Sequence, residues 1–160
     1  MTLGAGLNRA QTSETDPASS LTWDSEPLTH DLDVVGDIEV QLDAASTTAD
    51  TAWIAILQDV DANGAVIDVT AGYLRAGLRE VDETVRRPCA PDLPCRTFQA
   101  VPIGKLVHYR IPLVVNARRF KPGHRVQLLI TSDDQDSNML ALLTFRHASV
   151  GTSCLNTIQS

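Results

Sequence analysis

Aromatic residues are scarce in this chain, where phenylalanine, tryptophan and tyrosine together make up 4% of 160 residues. Sites that bind sugars usually present aromatic rings on which the sugar stacks. Trp53 lies in a run that is apolar on both faces and is predicted to belong to the core. Trp23 is predicted either to attach the first strand to the sheet or to be exposed. A free-standing carbohydrate-binding module is therefore kept as an alternative hypothesis.

Cationic side chains are also in short supply. Thirteen lysines and arginines stand against 20 aspartates and glutamates, which gives a net charge of −7. Contacts to phosphates need clustered cations, so no nucleic-acid partner is expected. No apolar run approaches the length of a membrane span, so no membrane partner is expected. The first six residues lack a basic segment and an apolar core, so no signal peptide is expected and the localisation stays open.

Cysteine occurs three times. Cys89 and Cys95 lie in a loop with three prolines, and Cys154 is predicted to be a lone thiol near the end. Five residues separate the first two, and no second pair is near, which argues against a zinc site. Cys89 and Cys95 are a candidate disulfide in an oxidising compartment, and two free thiols remain the other interpretation.

No catalytic motif can be read from the residue spacing. The chain has no G-x-S-x-G run, which the nucleophile elbow of α/β-hydrolases requires. Its histidines have no neighbouring nucleophile or carboxylate arrangement typical of a triad: His30, His108, His124 and His147. We predict no catalytic residue, no metal ligand and no cofactor. His108 is predicted to lie on a solvated strand face, and His124 to hydrogen-bond locally at the start of a strand.

One short run imitates a calcium loop. Residues 59–64, Asp-Val-Asp-Ala-Asn-Gly, match the first six positions of an EF-hand loop. The twelfth position needs a bidentate glutamate and is Thr70. The flanking segments read as strands, whereas an EF-hand needs helices. The run therefore predicts a β-hairpin with Asn63-Gly64 as its two-residue turn.

The rest of the chain is patterned as an all-β domain. Hydrophobic residues make up 43% of the sequence, and its length suits a single core. Residues 1–20 are polar and predict a lead-in or linker, and residues 21–160 form the predicted domain. Short apolar-polar alternations separated by glycine and proline indicate an antiparallel β-sandwich. The predicted strands are 36–43, 51–60, 65–70, 72–79, 106–115, 125–131 and 139–147.

Two arginines on one predicted strand face form a candidate interface. Arg75 and Arg79 share that face with Tyr73. Such a stripe is usually solvated, but arginines also form ion pairs across interfaces between domains. Asp133 and Asp134, after the strand at 125–131, are assigned to the same candidate interface.

Three runs in order resemble one protein family. They are residues 23–42 with Gly-Asp-Ile-Glu-Val-Gln-Leu, residues 54–79 with Leu-Gln-Asp-Val-Asp-Ala-Asn-Gly and Ala-Gly-Tyr-Leu-Arg, and residues 120–134 with Phe-Lys-Pro-Gly-His-Arg-Val-Gln-Leu. This combination resembles the C-terminal non-catalytic domain of X-Pro dipeptidyl-peptidases, which cocaine esterases and α-amino acid ester hydrolases share.

The resemblance implies a fold, a partner and a parent activity. The fold would be a jelly-roll β-sandwich of galactose-binding-like topology, packed against an α/β-hydrolase domain that carries a Ser-His-Asp triad. The parent protein would hydrolyse peptides, esters or amides through an acyl-enzyme. No catalytic residue carries over to this chain, because the triad belongs to the other domain. Residues 157–160 stand where the family continues into a Leu-rich strand, so a missing edge strand and a homo-oligomer paired through that edge are expected.

Overall fold

The computed structural model describes residues 20–85, 87–132 and 156–159. These residues form seven strands and one short 3₁₀ turn, Ala76–Leu78. Every strand pair in the described sheet is antiparallel. The strands are β1 Ser20–Asp24, β2 Leu32–Ser46, β3 Ala52–Val60, β4 Val66–Arg75, β5 Val107–Phe120, β6 Arg125–Thr131 and β7 Asn156–Gln159. The prediction of an all-β antiparallel sandwich is confirmed.

The seven strands form a curled sheet in the order β1-β6-β3-β4-β5-β2-β7. Because the sheet curls, side chains from strands that are not neighbours meet on its inner face. The rings of Trp53 on β3 and Tyr109 on β5 lie with their centroids 5.5 Å apart, although β4 separates the two strands. Tyr109, Ile111 and Phe120 are fully buried in this inner core.

Strand β3 is buried on both faces, as its sequence predicts. Trp53, Ala55 and Leu57 belong to the inner core, while Ile54 and Ile56 form a second cluster on the opposite face. Period-two alternation accounts for this, since apolar residues occupy every position from 52 to 57. Such a strand must be central, and β3 lies between β6 and β4.

The predicted strand bounds differ from the structure in three places. Strand β2 runs from Leu32 to Ser46, β5 continues to Phe120, and the two strands predicted at 65–70 and 72–79 are one strand, β4, that ends at Arg75. The predicted strand at 139–147 and residues 1–19 of the predicted lead-in 1–20 lie outside the described residues, and Ser20 is the first residue of β1. The strand predicted at 125–131 has the bounds of β6.

The β3–β4 hairpin closes with a longer loop than the predicted two-residue turn. The amide of Asp61 donates to the carbonyl of Ala65 at 2.9 Å, so three residues form the loop. The Asp61 carboxylate accepts the amides of Asn63 and Ala65, each at 2.8 Å, and the Ala65 bond is the main reason that the pKa of Asp61 is lowered. Gly64 takes φ +88°, the left-handed position of a three-residue hairpin. The carboxylate thus orders the turn.

A long segment from residue 79 to residue 106 connects β4 to β5 and contains no helix or strand among its described residues. Backbone bonds attach its second half to the end of β2 and to the β2–β3 connection. Val101 donates to the carbonyl of Ala49 at 2.7 Å, and Gly104 donates to that of Ser46 at 2.9 Å. Val101 is 2% exposed and belongs to the inner core. The segment is therefore a packed part of the domain.

The described part of the chain has no helix that is long and apolar enough to cross a membrane. Strands β1 and β7 are the two ends of the described sheet, and β7 pairs with only four residues of β2. Self-association through a sheet edge stays a prediction.

Candidate domain interface

A buried carboxylate joins three parts of the fold at the end of β3. Asp59 is 1% exposed, and the Arg118 guanidinium donates to its Oδ2 from Nη2 at 2.6 Å and from Nε at 3.1 Å. The Nδ1 atom of His124 lies 2.7 Å from the other oxygen, Oδ1. An ionised carboxylate only accepts, so Nδ1 carries the proton in this bond. Both oxygens of Asp59 are thus occupied.

His124 directly precedes β6, as predicted, but the prediction that its side chain hydrogen-bonds locally is wrong. Its carbonyl accepts the amide of Leu28 at 2.8 Å, and its own amide donates to Lys121 at 3.1 Å. The carboxylate that holds its ring comes from β3 and not from its own loop. An aspartate near the end of a mostly apolar strand was the available signal, because buried carboxylates need partners. The calcium interpretation fails at the same residue, since Asp59 is bound to Arg118 and His124.

The other described histidines lie in exposed pairs. His108 Nδ1 is 2.8 Å from Asp43 Oδ1, with both side chains more than half exposed, which confirms its solvated strand face. His30 pairs with the hydroxyl of Thr29. Among the described residues, no group of three histidines, cysteines, aspartates or glutamates is placed to hold a metal ion.

Arg75 and Arg79 both have partners within the domain. Arg75 Nε lies 2.6 Å from Asp50 Oδ2, and its guanidinium stands 5.3 Å from the centre of the Phe98 ring. Arg79 Nη1 donates to the carbonyls of Ala76 at 3.0 Å and of Gln99 at 2.7 Å. Arg79 thus joins the start of the 79–106 segment to its second half at Gln99. Arg75 contacts the same part of the segment from β4, through the Phe98 ring. Their assignment to an interface stays a prediction, and Asp133 and Asp134 lie outside the described residues.

The cysteine pair lies on the surface of the same segment. Cys89 and Cys95 are both exposed and unbonded in the structure. Their backbones adopt φ 56° and 51°, a region that residues other than glycine rarely occupy. The disulfide between them stays a prediction.

Neither tryptophan offers a platform for a sugar. Trp53 is 3% exposed and faces Tyr109 in the inner core. Trp23 is half-buried on β1, pairs with Leu128 of β6 and packs against the core, which favours its attachment role. Phe98 is the one exposed aromatic side chain among the described residues, and the Arg75 guanidinium lies over its ring.

Burial raises the pKa of the Tyr109 phenol above its ordinary value of about 10. The unfolded chain therefore loses this proton at lower pH than the folded chain, so folding stability falls as the pH rises past 10. In a Tyr73→Phe variant, Tyr109 is the one remaining tyrosine, and its phenolate absorbance is expected to appear only together with unfolding. The same variant in concentrated urea should titrate near pH 10. A folded variant that titrates at or below 10 would contradict the burial.

The outer face of the β2–β5 ladder carries two ion pairs. Arg119 donates to Asp33 at 2.6 and 2.7 Å near one end of the ladder. Arg110 donates to Glu39 through Nε at 2.5 Å and Nη2 at 3.0 Å, and this carboxylate raises the pKa of the guanidinium. Between the two pairs lies a group of exposed apolar side chains that we name the valine patch: Val35, Val114 and Val115. A second exposed apolar group lies in the 79–106 segment: Val85, Phe98, Ile103 and Leu106.

Comparison with known proteins places this geometry in a family. Residues 4–139 match the family model described as the X-Pro dipeptidyl-peptidase C-terminal non-catalytic domain. The chain is 35% identical over 122 residues to "Putative serine esterase MT1883" of Mycobacterium tuberculosis (strain CDC 1551 / Oshkosh), covering 73% of this chain and 19% of that protein. It is 27% identical over 123 residues to the cocaine esterase of Rhodococcus sp. (strain MB1 Bresler), with shares of 74% and 19%.

A solved structure shows the same fold. A CocE/NonD family hydrolase from Staphylococcus aureus superposes with a TM-score of 0.74 at 17% identity, covering 88% of this chain and 30% of that chain. The chain spans about a fifth of the length of the curated relatives that it matches. The chain therefore belongs to the family of X-Pro dipeptidyl-peptidase C-terminal non-catalytic domains.

Proposed function

We propose that this chain is the non-catalytic accessory domain of a serine hydrolase that cleaves esters or X-Pro peptides. The family match over residues 4–139 is the observation that carries the proposal. The names of the relatives supply the reaction class, a "Putative serine esterase" and a cocaine esterase. We propose also that the sandwich is the jelly roll of galactose-binding-like topology that the resemblance implies.

The described polar side chains support a structural role. A triad needs a histidine whose carboxylate partner orients it toward a nucleophile. Asp59 instead shares its carboxylate between His124 and Arg118, and Asp43 and His108 are an exposed surface pair. These groups bind the strands to one another. The chemistry would then lie in the catalytic domain of the parent protein, and the accessory domain would stabilise that domain or form one wall of its cleft.

The purified chain is expected to show no turnover of p-nitrophenyl butyrate or of an X-Pro-nitroanilide, because its His–Asp pairs serve the fold. The full-length mycobacterial relative is the matched positive control for hydrolysis of the ester. Turnover that a serine-directed phosphonate abolishes would overturn the non-catalytic assignment. The carbohydrate-binding alternative is tested by titrating a glycan panel while following tryptophan fluorescence. Binding that is lost in Trp23→Ala would favour that alternative over our proposal.

A further inference from the structure

The valine patch is unusual because three large aliphatic side chains are exposed together on a strand face. Val35, Val114 and Val115 are 75%, 61% and 63% exposed. Val35 pairs with Ala117, and Val114 and Val115 lie on the same ladder between the pairs Gly36–Asn116 and Ile38–Leu113. Contiguous apolar surface of this kind on a soluble domain marks a contact site more often than chance exposure does.

A β-bulge creates the patch. From Gly36 to Ile38, β2 advances two residues while β5 advances three, from Asn116 back to Leu113. In a regular ladder, side chains at successive positions point to opposite faces, so either Val114 or Val115 would face the core. The extra residue instead leaves both exposed, which is how bulges redirect side chains near functional sites. Gly36, with φ +105° opposite the bulge, supplies the backbone conformation that other residues avoid.

The bulge is held rigidly by two side chains from β4 and β5. Strands β4 and β5 share one ladder pair, Gly72–Leu113, and diverge beside it. The Thr70 hydroxyl donates to the carbonyl of Val114 at 2.6 Å, and the Asn116 amide donates to the carbonyl of Val69 at 2.8 Å. These bonds replace the missing ladder bonds, so the valines are presented on a fixed backbone. A preorganised surface loses little entropy when a partner binds.

The surroundings of the patch have the composition of an interface. The Asp33–Arg119 pair and the Glu39–Arg110 pair lie on either side of it on the same strand face. An apolar centre with a charged rim is the usual anatomy of a protein contact. In the other exposed apolar group, Phe98 already has the Arg75 guanidinium over its ring and its edge against Gly77. The exposed Asp37, on β2 opposite Val114 and Val115, adds a further carboxylate beside the valine patch.

We propose that the valine patch is the surface of this domain that packs on the catalytic hydrolase domain of the same polypeptide. The inference rests on the accessory-domain function proposed above. Two copies of a free protein need roughly 1,200–2,000 Å² of buried surface for a stable contact, which three valines do not supply. A domain tethered to its partner needs less, because the linkage gives an effective concentration of order millimolar. This chain covers 19% of the length of its curated relatives. A tethered catalytic domain is therefore the partner that we expect to cover the patch.

The test uses a hybrid of the mycobacterial relative in which the segment matched by this chain is replaced by this chain. The patch variant carries Val35→Thr, Val114→Thr and Val115→Thr, which keep side-chain shape and strand preference while placing hydroxyls on the surface. The matched control carries Val85→Thr, Ile103→Thr and Leu106→Thr in the other exposed group. The patch variant is expected to lower the midpoint of thermal unfolding of the hybrid by at least about 5 °C, and the control to leave it unchanged.

The outcomes distinguish failure of the accessory-domain function from failure of the patch assignment alone. A hybrid that is no more stable and no more active than the esterase with the segment deleted overturns the accessory-domain function and the patch assignment with it. A stabilised hybrid that the patch variant leaves unchanged overturns the patch assignment alone. In the isolated chain, the patch variant should keep the urea midpoint of the native chain, since its side chains are exposed. A lowered midpoint there, or a sedimenting dimer that the patch variant converts to a monomer, also overturns the assignment.

Discussion

Replacing Asp59 with alanine is expected to lower the free energy of unfolding by about 3 kcal/mol, close to the low end for breaking a buried ion pair. The variant leaves the Arg118 guanidinium and the His124 imidazole without their shared acceptor. Arg118 keeps 35% of its side-chain surface exposed and can regain some hydration, which limits the loss. Urea denaturation at neutral pH, followed by tryptophan fluorescence, measures the effect.

The matched control for this prediction is Asp33→Ala. Asp33 also binds an arginine through two bonds, at 2.6 and 2.7 Å, but both side chains of that pair are more than half exposed. Water and salt screen such a pair, so its loss should change the urea midpoint far less. Equal losses in the two variants would show that the Asp59 cluster is no more than a surface pair.

Replacing Gly72 with alanine is expected to destabilise the domain by about 3 kcal/mol, in the upper part of the range for overpacking. A Cβ atom at this position would lie 2.2 Å from the carbonyl oxygen of Pro112 and 2.9 Å from its carbonyl carbon. Both are backbone atoms of β5, so the strands themselves must separate. The separation would occur at the one ladder pair that joins β4 to β5, Gly72–Leu113. The loss is read from the midpoint of thermal or urea unfolding.

Gly77→Ala provides the contrast. Its Cβ would lie 2.1 Å from Cε2 of Phe98, which is a steric conflict as close as that at Gly72. The atom in the way belongs to a side chain that is 51% exposed and can rotate into solvent. The expected destabilisation is therefore clearly smaller, with loss of the contact between the Phe98 ring and Arg75. A Gly77 variant that is as unstable as the Gly72 variant would show that the Phe98 ring cannot move.

The sheet was predictable from the sequence because its signals are local. The alternation of Ile38, Val40 and Leu42 packs these side chains against the inner core, and the doubly apolar run at 52–57 gives a central strand. The start of β6 after Gly123 follows from the Pro-Gly turn. In each case, the local sequence shows either the alternation of side chains in the strand or the residue at which the strand is bounded.

The long-range hydrogen bonds and the β-bulge were not predictable because they depend on residues far apart in the chain. Asp59 and Arg118 are separated by 59 positions, and nothing near either one names the other. The bulge beside Val114 exists only once β2 and β5 are paired, since it is a mismatch of register. The two-residue alternation of an isolated strand places Val114 and Val115 on opposite faces, so the sequence does not predict the valine patch. A strand pattern assigns Arg75 and Arg79 to one exposed face. In the structure, Arg75 binds Asp50, which lies before β3, and Arg79 binds the carbonyl of Gln99 near the other end of the 79–106 segment.

The bond from Arg79 to the carbonyl of Gln99 joins the start of the 79–106 segment to its second half. A second bond, from the amide of Gln99 to the carbonyl of Gly77 at 2.8 Å, lies beside it. These two bonds fix the ends of the intervening chain, so the strands on either side do not depend on its exposed residues, 83–85 and 87–89, to keep their positions. Doubling the length of such a loop costs only about 0.6 kcal/mol of closure entropy. An added residue is therefore expected to cost least at these exposed positions, because Leu93 in the same segment packs against the inner core.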